Sequence, residues 1–126
     1  MAKPITFETA GWEDSNTTFR AYIEDDSTGT AILAAAVSAI AYSVTQSLGP
    51  SQSDVTGSGS LSPVSTYITS VSLTGWLVDN VGYNFKATLP AACFPEAGHY
   101  VVDFLFTLSD GSTFPVKCFH TAKSRS

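Results

Sequence analysis

The stretch "HYVVDFLFTLSDGSTFPVKCFH", residues 99–120, decides the fold, because its apolar residues recur at every second position. Such alternation puts one set of side chains on a single face of an extended strand. In the first half that set is Tyr100, Val102, Phe104, Phe106 and Leu108. The Asp110-Gly111 pair is typical of a tight hairpin turn with positive φ angles. After this turn the same alternation continues in Phe114, Val116 and Cys118. The stretch therefore predicts a β-hairpin.

Three other stretches alternate in the same way. Their predicted inward sets are Phe19, Ala21 and Ile23; Ile40, Tyr42 and Val44; and Tyr83, Phe85, Ala87 and Leu89. Residues 5–12 and the β-branched residues 65–74 add further predicted strands, whereas the Ala-rich residues 31–37 also suit a helical turn. Six or seven short strands, with no helix long enough for a βαβ unit, predict an all-β antiparallel sandwich. Residues 91–99 are expected to cross from one sheet to the other.

The composition limits the partners that the chain can have. Its 126 residues fit one domain, residues 1–126, and 44% of them are hydrophobic. A net charge of -5 with six Lys and Arg residues argues against nucleic acid, which is bound through clustered cations. No apolar run reaches the roughly 18 residues of a membrane span. The first residues contain no apolar secretion signal, so we expect synthesis in the cytoplasm and two reduced, buried cysteines, Cys93 and Cys118.

The middle of the chain contains the one low-complexity stretch, "SLGPSQSDVTGSGSLSPVSTY", residues 47–67. Its Ser, Gly and Pro residues offer little with which to build a core, so residues 47–66 are predicted to form an extended loop. A connection of that length is unusual in a compact domain and points to flexibility or function. Residues 1–10 are predicted to form an N-terminal arm and residues 121–126 a polar tail.

The titratable residues form no recognisable catalytic or metal-binding motif. Nothing in the spacing of the acidic residues selects a catalytic pair. The stretch "EDDSTGT" lacks the alternating oxygen ligands of a calcium loop. His99 and His120 are expected at the surface or rim, and with Cys93 and Cys118 they match no zinc spacing. No cation lies near Cys93 in sequence to activate its thiol. The sequence therefore predicts no enzyme, no metal and no cofactor.

Aromatic residues leave one binding alternative open. Exposed aromatic rings can stack on sugars, and the candidates are Trp12, Tyr67, Trp76 and Tyr83. For Trp76, a place in the core between apolar neighbours is the favoured interpretation.

The order of the segments resembles a known family. The stretches "FRAYIEDDSTGTAI", "SAIAYSVTQ" and "GYNFKATLPAACFPEAGHYVVDFLFTLSDGSTFPVKCF" are similar to the immunoglobulin-like sandwich of tailed-bacteriophage virion proteins, notably the N-terminal domain of baseplate upper proteins. The matching pieces are an acidic turn at residues 25–30, a strand ending in "LP" at 83–90, a long aromatic strand at 98–108 and the Asp110-Gly111 hairpin. The chain departs from that family in having no long downstream region and in its Ser/Gly/Pro stretch.

The resemblance implies a single immunoglobulin-like β-sandwich of about seven strands and a non-enzymatic subunit of a phage particle, in its neck, tail or capsid decoration. Such a subunit would be assembled in the host cytoplasm and would contact other virion proteins and copies of itself, without nucleic acid or membrane. The predicted contact residues are Ala2, Lys3, Pro4, Ile5, Phe7, Ser53, Asp54, Val55, Leu61, Val64, Lys123 and Arg125. The alternative is a bacterial carbohydrate- or surface-binding module.

Overall fold

The computed structural model describes residues 5–24, 30–49, 52–72 and 82–124. These ranges contain eight strands: β1 (Ile5–Trp12), β2 (Thr17–Ala21), β3 (Val37–Gly49), β4 (Gln52–Ser60), β5 (Ile68–Ser72), β6 (Tyr83–Leu89), β7 (Gly98–Leu108) and β8 (Thr113–Lys123). One α-helical turn, α1 (Val64–Tyr67), and two short 3-10 turns, Ala34–Ala36 and Ala91–Cys93, lie between them. In the described chain no helix is long and apolar enough to cross a membrane.

The strands form two sheets. One has five strands in the order β1-β8-β7-β3-β4, and the other has three in the order β2-β6-β5. The prediction of an all-β sandwich is confirmed. One pair of strands was not predicted, because β1 runs parallel to β8 from Ile5↔Val116 to Trp12↔Lys123. Parallel neighbours need a long connection, and here almost the whole domain connects β1 to β8.

The core lies between the sheets and consists largely of aromatic rings. Phe85 from the three-stranded sheet contacts Phe104 and Phe106 from the five-stranded sheet, with ring centroids 5.0 and 4.9 Å apart. Phe19 meets Phe104 at 5.8 Å. Edge-to-face aromatic pairs of this kind contribute about 0.5–1.5 kcal/mol beyond the area that they bury. The predicted inward sets of β2, β6 and β7 are confirmed as buried up to Phe106, while Leu108 is only partly buried.

The strand order is that of an immunoglobulin-like domain with two additional strands, β1 and β4, at the edges of one sheet. In such domains three strands form the CFG sheet, and variable-type domains extend it beyond strand C, as β4 does here next to β3. A tyrosine near the start of strand F characteristically bonds back to the preceding backbone. Tyr100 does so, donating its hydroxyl to the carbonyl of Glu96 at 2.6 Å. The inter-sheet disulfide of antibody domains is absent from the described chain, where Cys93 and Cys118 are buried free thiols.

The predicted loop at residues 47–66 is largely a strand, so that prediction was wrong. β4 pairs with β3 in a hairpin, with a bulge between Val44 and Thr45. Its glycines allow a close approach to neighbouring side chains. A Cβ atom at Gly57 would lie 2.5 Å from Cys93 Sγ, and one at Gly59 would lie 3.1 Å from the Tyr42 ring. The small residues that seemed unable to build a core therefore let β4 lie against the core.

The predicted terminal segments also belong to the sheet where they are described. Residues 5–10 of the supposed arm lie in β1, and residues 121–123 of the supposed tail lie in β8. Their backbones are paired over the whole length of β1. Residues 1–4 and 125–126 lie outside the described residues.

The C-terminal hairpin has a slightly longer turn than the sequence predicted. The amide of Gly111 donates to the carbonyl of Leu108 at 2.9 Å, and the amide of Leu108 donates to the carbonyl of Ser112 at 2.8 Å. Gly111 alone takes a positive φ, 90°, as in a type I turn followed by a left-handed residue. The predicted crossing between sheets at residues 91–99 is confirmed, since β6 and β7 lie in different sheets.

Candidate interaction surface

Large apolar side chains are exposed on one side of the sandwich. In the described part of the chain five are exposed: Trp12 55%, Leu33 64%, Val55 63%, Leu105 45% and Phe119 47%. All except Leu33 lie in strands of the five-stranded sheet. We call the outward side of this sheet the apolar face. It comprises the outward residues of β1, β8, β7, β3 and β4.

The alternation of the two central strands creates this face. Even-numbered residues of β7 and β8 point into the core from Tyr100 to Phe106 and from Phe114 to Ala122, so the odd-numbered residues point outward. The same period that buries the aromatic rings on one side therefore presents Leu105 and Phe119 to solvent.

An ion pair lies at the centre of the apolar face. Lys117 Nζ is 3.9 Å from Asp103 Oδ1, and the two residues are direct cross-strand partners. Val101 and Phe119 are also cross-strand partners, and each lies two residues from the ion pair along its strand. On the other side of the ion pair, again two residues away, lie the partners Leu105 and Pro115, both exposed. One charged row is thus flanked by two apolar rows, each about 7 Å away along the strands.

The neighbouring strands add small or apolar groups to the face. Ala41, Ser43 and Thr45 of β3 lie opposite Leu105, Asp103 and Val101. Val55 of β4 lies opposite Thr45 and so points to the same side. Ala41 is short, so the side chain of Leu105 beside it remains exposed.

At the opposite edge of the face, Trp12 ends β1. Its backbone partner is Lys123, whose Nζ lies 5.9 Å from the centre of the indole ring. A cation over an exposed indole contributes about 0.5–1 kcal/mol. This contact orients the ring without burying it.

The charges on the apolar face balance, although the chain as a whole carries -5. Among the described side chains that point outward from this sheet, the acidic ones are Glu8 and Asp103 and the lysines are Lys117 and Lys123. The acidic excess of the protein therefore lies elsewhere. An apolar surface with balanced charge is a surface that can approach another protein without net repulsion.

The outward side of the three-stranded sheet is polar in its described part. Thr18 and Thr88 share a hydrogen bond of 2.8 Å between their hydroxyl groups. Arg20 and Lys86 are cross-strand partners, and the Arg20 guanidinium lies 5.5 Å from the centre of the Tyr83 ring. Lys86 and the two hydroxyl groups suit a solvated surface, whereas Arg20 is half-buried and its Nε has no protein partner.

The structure separates the residues predicted to contact a partner. Val55 and Lys123 lie on the apolar face. Leu61 is buried, and Phe7 and Val64 are partly buried and pack against the core, so these three side chains stabilise the sandwich itself. Ile5 lies in β1, and Ser53 and Asp54 lie in β4. Ala2, Lys3, Pro4 and Arg125 lie outside the described residues. Leu105 and Phe119, which the sequence reasoning did not select, could have been found from their outward phase in the alternation.

His120 is buried, which corrects the expectation of a surface or rim histidine. It points inward from β8 because it shares the even-numbered phase of Val116 and Cys118. Its Nδ1 lies 2.7 Å from Thr9 Oγ1, and its ring packs against Phe19 and Phe94 with centroids 5.5 and 4.8 Å away. Burial lowers the pKa of His120, so the ring is neutral at neutral pH. Its Nε2 has no protein partner.

The thiols are poorly suited to nucleophilic chemistry. Burial raises the pKa of Cys93, and it raises that of Cys118 to about 11 against an opposing hydrogen bond from Thr9. Both are therefore thiols rather than reactive thiolates. In the described ranges no group of three or more His, Cys, Asp or Glu side chains is placed to hold a metal ion.

The predicted sugar-stacking aromatic residues are dispersed. Trp12 is exposed, Tyr67 is partly buried, and Tyr83 is buried with the Arg20 guanidinium over its ring. Trp76 lies outside the described residues. These positions do not form a continuous aromatic platform in the described structure.

No protein-family model and no curated protein sequence matches the chain. A solved structure of murine CRIg superposes on 100% of this chain and 98% of that chain, with 13% sequence identity and a TM-score of 0.43. The immunoglobulin-like sandwich is assigned from the strand order and from the hydrogen bond of the Tyr100 hydroxyl to the carbonyl of Glu96.

Proposed function

We propose that this protein is a non-enzymatic module that acts through protein–protein contacts made by the apolar face. The observation that carries the proposal is the position of four exposed large apolar side chains on one sheet face. Monomeric proteins seldom expose such side chains together, and a patch of this kind usually marks a surface that binds a partner. The rows beside Asp103 and Lys117 would form the centre of the contact, and the charged residues Glu8 and Lys123 would form its rim.

We further propose that the protein is a structural subunit of a bacteriophage particle, in its neck, tail or capsid decoration. The support for this narrower proposal is the resemblance of residues 18–120 to phage immunoglobulin-like sandwiches. The partners would be other virion proteins and copies of the same chain, assembled in the host cytoplasm. The contact needs no cofactor.

Co-sedimentation with phage particles from the source culture tests the proposal. We expect the tagged full chain to sediment with particles, and the double variant Leu105→Thr/Phe119→Thr to lose at least about 90% of this signal, a tenfold change in affinity. Thr is chosen because it keeps a high strand propensity. A matched control, Thr18→Ser/Thr88→Ser on the polar face, should sediment like the wild type. Equal sedimentation of the first variant would contradict the role of the face. No sedimentation of the wild type would contradict the phage proposal.

One observation favours a second candidate function, sugar binding at Trp12. Its indole ring is exposed and lies beside a lysine at the edge of the sheet. Exposed aromatic rings with an adjacent polar group are suited to stacking on a sugar. Saturable binding on a glycan array that Trp12→Ala abolishes, while Leu105→Thr does not affect it, would favour this function over a protein contact.

A further inference from the structure

The pattern of the apolar face is complementary to itself, and this identifies a partner. The proposal rests on the proposed function, since it uses the same face. Asp103 and Lys117 lie side by side on neighbouring strands, with Val101 and Phe119 on one side and Leu105 and Pro115 on the other. We propose that a second copy of this chain binds the face, related by a two-fold axis that runs parallel to β7 and β8 and passes between them.

A two-fold axis in this direction exchanges the two central strands and keeps the position along them. Asp103 of each copy then lies over Lys117 of the other. By the same exchange Val101 lies over Phe119, and Leu105 lies over Pro115. Each apolar row meets an apolar row, and each charge of the central ion pair meets an opposite charge. This is the self-complementarity that an isologous dimer requires.

The alternative axis, perpendicular to the strands, gives a worse match. It reverses the positions along the strands, so β7 of one copy faces β7 of the other and β8 faces β8. Asp103 would then lie over Asp103 and Lys117 over Lys117. Like charges brought together in an interface oppose association, so the charges select the parallel axis.

The size and the net charge of the face also suit a second copy. The five strands are 8 to 13 residues long. At about 4.8 Å between strands, the region that they share covers roughly 700 Å². A specific interface buries about 800 Å² from each partner, so the face lies near the required area. The balanced charge at Glu8, Asp103, Lys117 and Lys123 lets two copies meet here although each carries -5 overall. The axis also aligns the strands of the two sheets, which is a common class of sheet packing.

Charge reversal tests both the partner and the axis. In analytical ultracentrifugation from about 1 to 100 μM, we expect the wild-type full chain to dimerise. Asp103→Lys and Lys117→Asp should each weaken the dimer at least tenfold in Kd. The double variant Asp103→Lys/Lys117→Asp should return to within about threefold of the wild type. An equimolar mixture of the two single variants should form heterodimers, because each copy supplies the charge that the other lacks.

The controls separate this proposal from the proposed function. Lys86→Asp, on the polar face, should leave the dimer unchanged, and circular dichroism should show that every variant is folded. The proposed dimer is overturned if the wild type stays monomeric. It is also overturned if the wild type dimerises and neither single charge reversal weakens that dimer. If such a monomer still needs Leu105 and Phe119 to sediment with particles, the proposed function survives. A wild-type dimer that Leu105→Thr/Phe119→Thr does not weaken overturns the proposed dimer, because its contact then lies elsewhere. The proposed function is overturned only if the same variant also sediments with particles like the wild type.

Discussion

The two sheets present similar inner faces and different outer faces. Inward, both contribute phenylalanine rings, such as Phe85 from one sheet and Phe104 from the other. Outward, the three-stranded sheet carries Thr18, Arg20, Lys86 and Thr88, whereas the five-stranded sheet carries exposed Leu105 and Phe119 beside an ion pair. Folding does not require this difference between the outer faces, because a sandwich needs only its inner faces to be apolar. The outer difference is therefore the better guide to function.

Removing one ring from each inner face should show that these faces are equivalent. Phe104→Ala and Phe85→Ala should each lower the free energy of unfolding by about 3–5 kcal/mol, because each leaves a cavity among fully buried rings. Urea denaturation followed by tryptophan fluorescence measures both. A difference of more than about 2 kcal/mol between the variants would mean that one sheet carries most of the core, and the symmetry of the inner faces would be lost.

The sequence was sufficient to predict these inner faces. The period of two placed Phe85 and Phe104 inward, because a strand must alternate and the larger apolar set must be buried. It did not predict the parallel pairing of β1 with β8, since Ile5 and Val116 are far apart in the chain and no local turn specifies their register. It also did not predict β4, where Gly and Ser have low strand propensity and tertiary contacts decide the conformation.

The strand β4 is one of the two strands by which the five-stranded sheet exceeds the three-stranded one. Its position against the core requires that residue 57 have no side chain. Gly57→Ala should lower the free energy of unfolding by about 1–3 kcal/mol, because the new methyl group would overlap Cys93 Sγ. Gly57→Ala/Cys93→Ala should lose less stability than the sum of the two single variants, since the smaller side chain makes room. Chemical denaturation of all four proteins gives the coupling energy. Additive losses would show that Gly57 is needed for another reason.

The role of β4 explains why the Ser/Gly/Pro stretch misled the sequence reasoning. Low complexity usually marks a segment that cannot bury apolar surface. Here the neighbouring strand and Cys93 supply the burial, and Thr56 donates its hydroxyl to the carbonyl of Cys93 at 2.7 Å. The sequence could have predicted the candidate site, because the period of two places Leu105 and Phe119 on the outward side of their strands. The degree of their exposure could not be predicted, because it depends on the residues that the neighbouring strands place beside them, Ala41 of β3 beside Leu105 and Glu8 of β1 beside Phe119.

Acid should destabilise the five-stranded sheet through His120. Burial lowers the pKa of this residue in the folded state, so the folded protein binds fewer protons than the unfolded chain. Stability should therefore be greatest above the unfolded pKa of about 6.5 and should fall as the pH drops below it. The urea midpoint of the wild type should decrease between about pH 7 and pH 5.5. His120→Gln keeps a hydrogen-bonding group near Thr9 and should reduce this slope.

Exposed His99 offers the matched control for the substitution of His120. It lies on the apolar face of the same sheet, where Thr121 Oγ1 is 3.3 Å from its Nδ1. His99→Gln should keep the wild-type decrease in the urea midpoint. Equal slopes for wild type and His120→Gln would show that the buried ring does not govern the acid response.

The smallest expected effect is the most direct test of the contrast between the outer faces. Phe119→Thr should change the free energy of unfolding by about 0.5 kcal/mol or less, because the ring is half exposed and Thr suits a strand. Thr88→Ala should cost a similar amount, about 0.2–1 kcal/mol, through the lost hydrogen bond to Thr18. Thermal and urea denaturation at a concentration where the chain is monomeric measure both. A loss above about 2 kcal/mol for Phe119→Thr would mean that the ring stabilises the monomer, and its exposure would then say nothing about a partner.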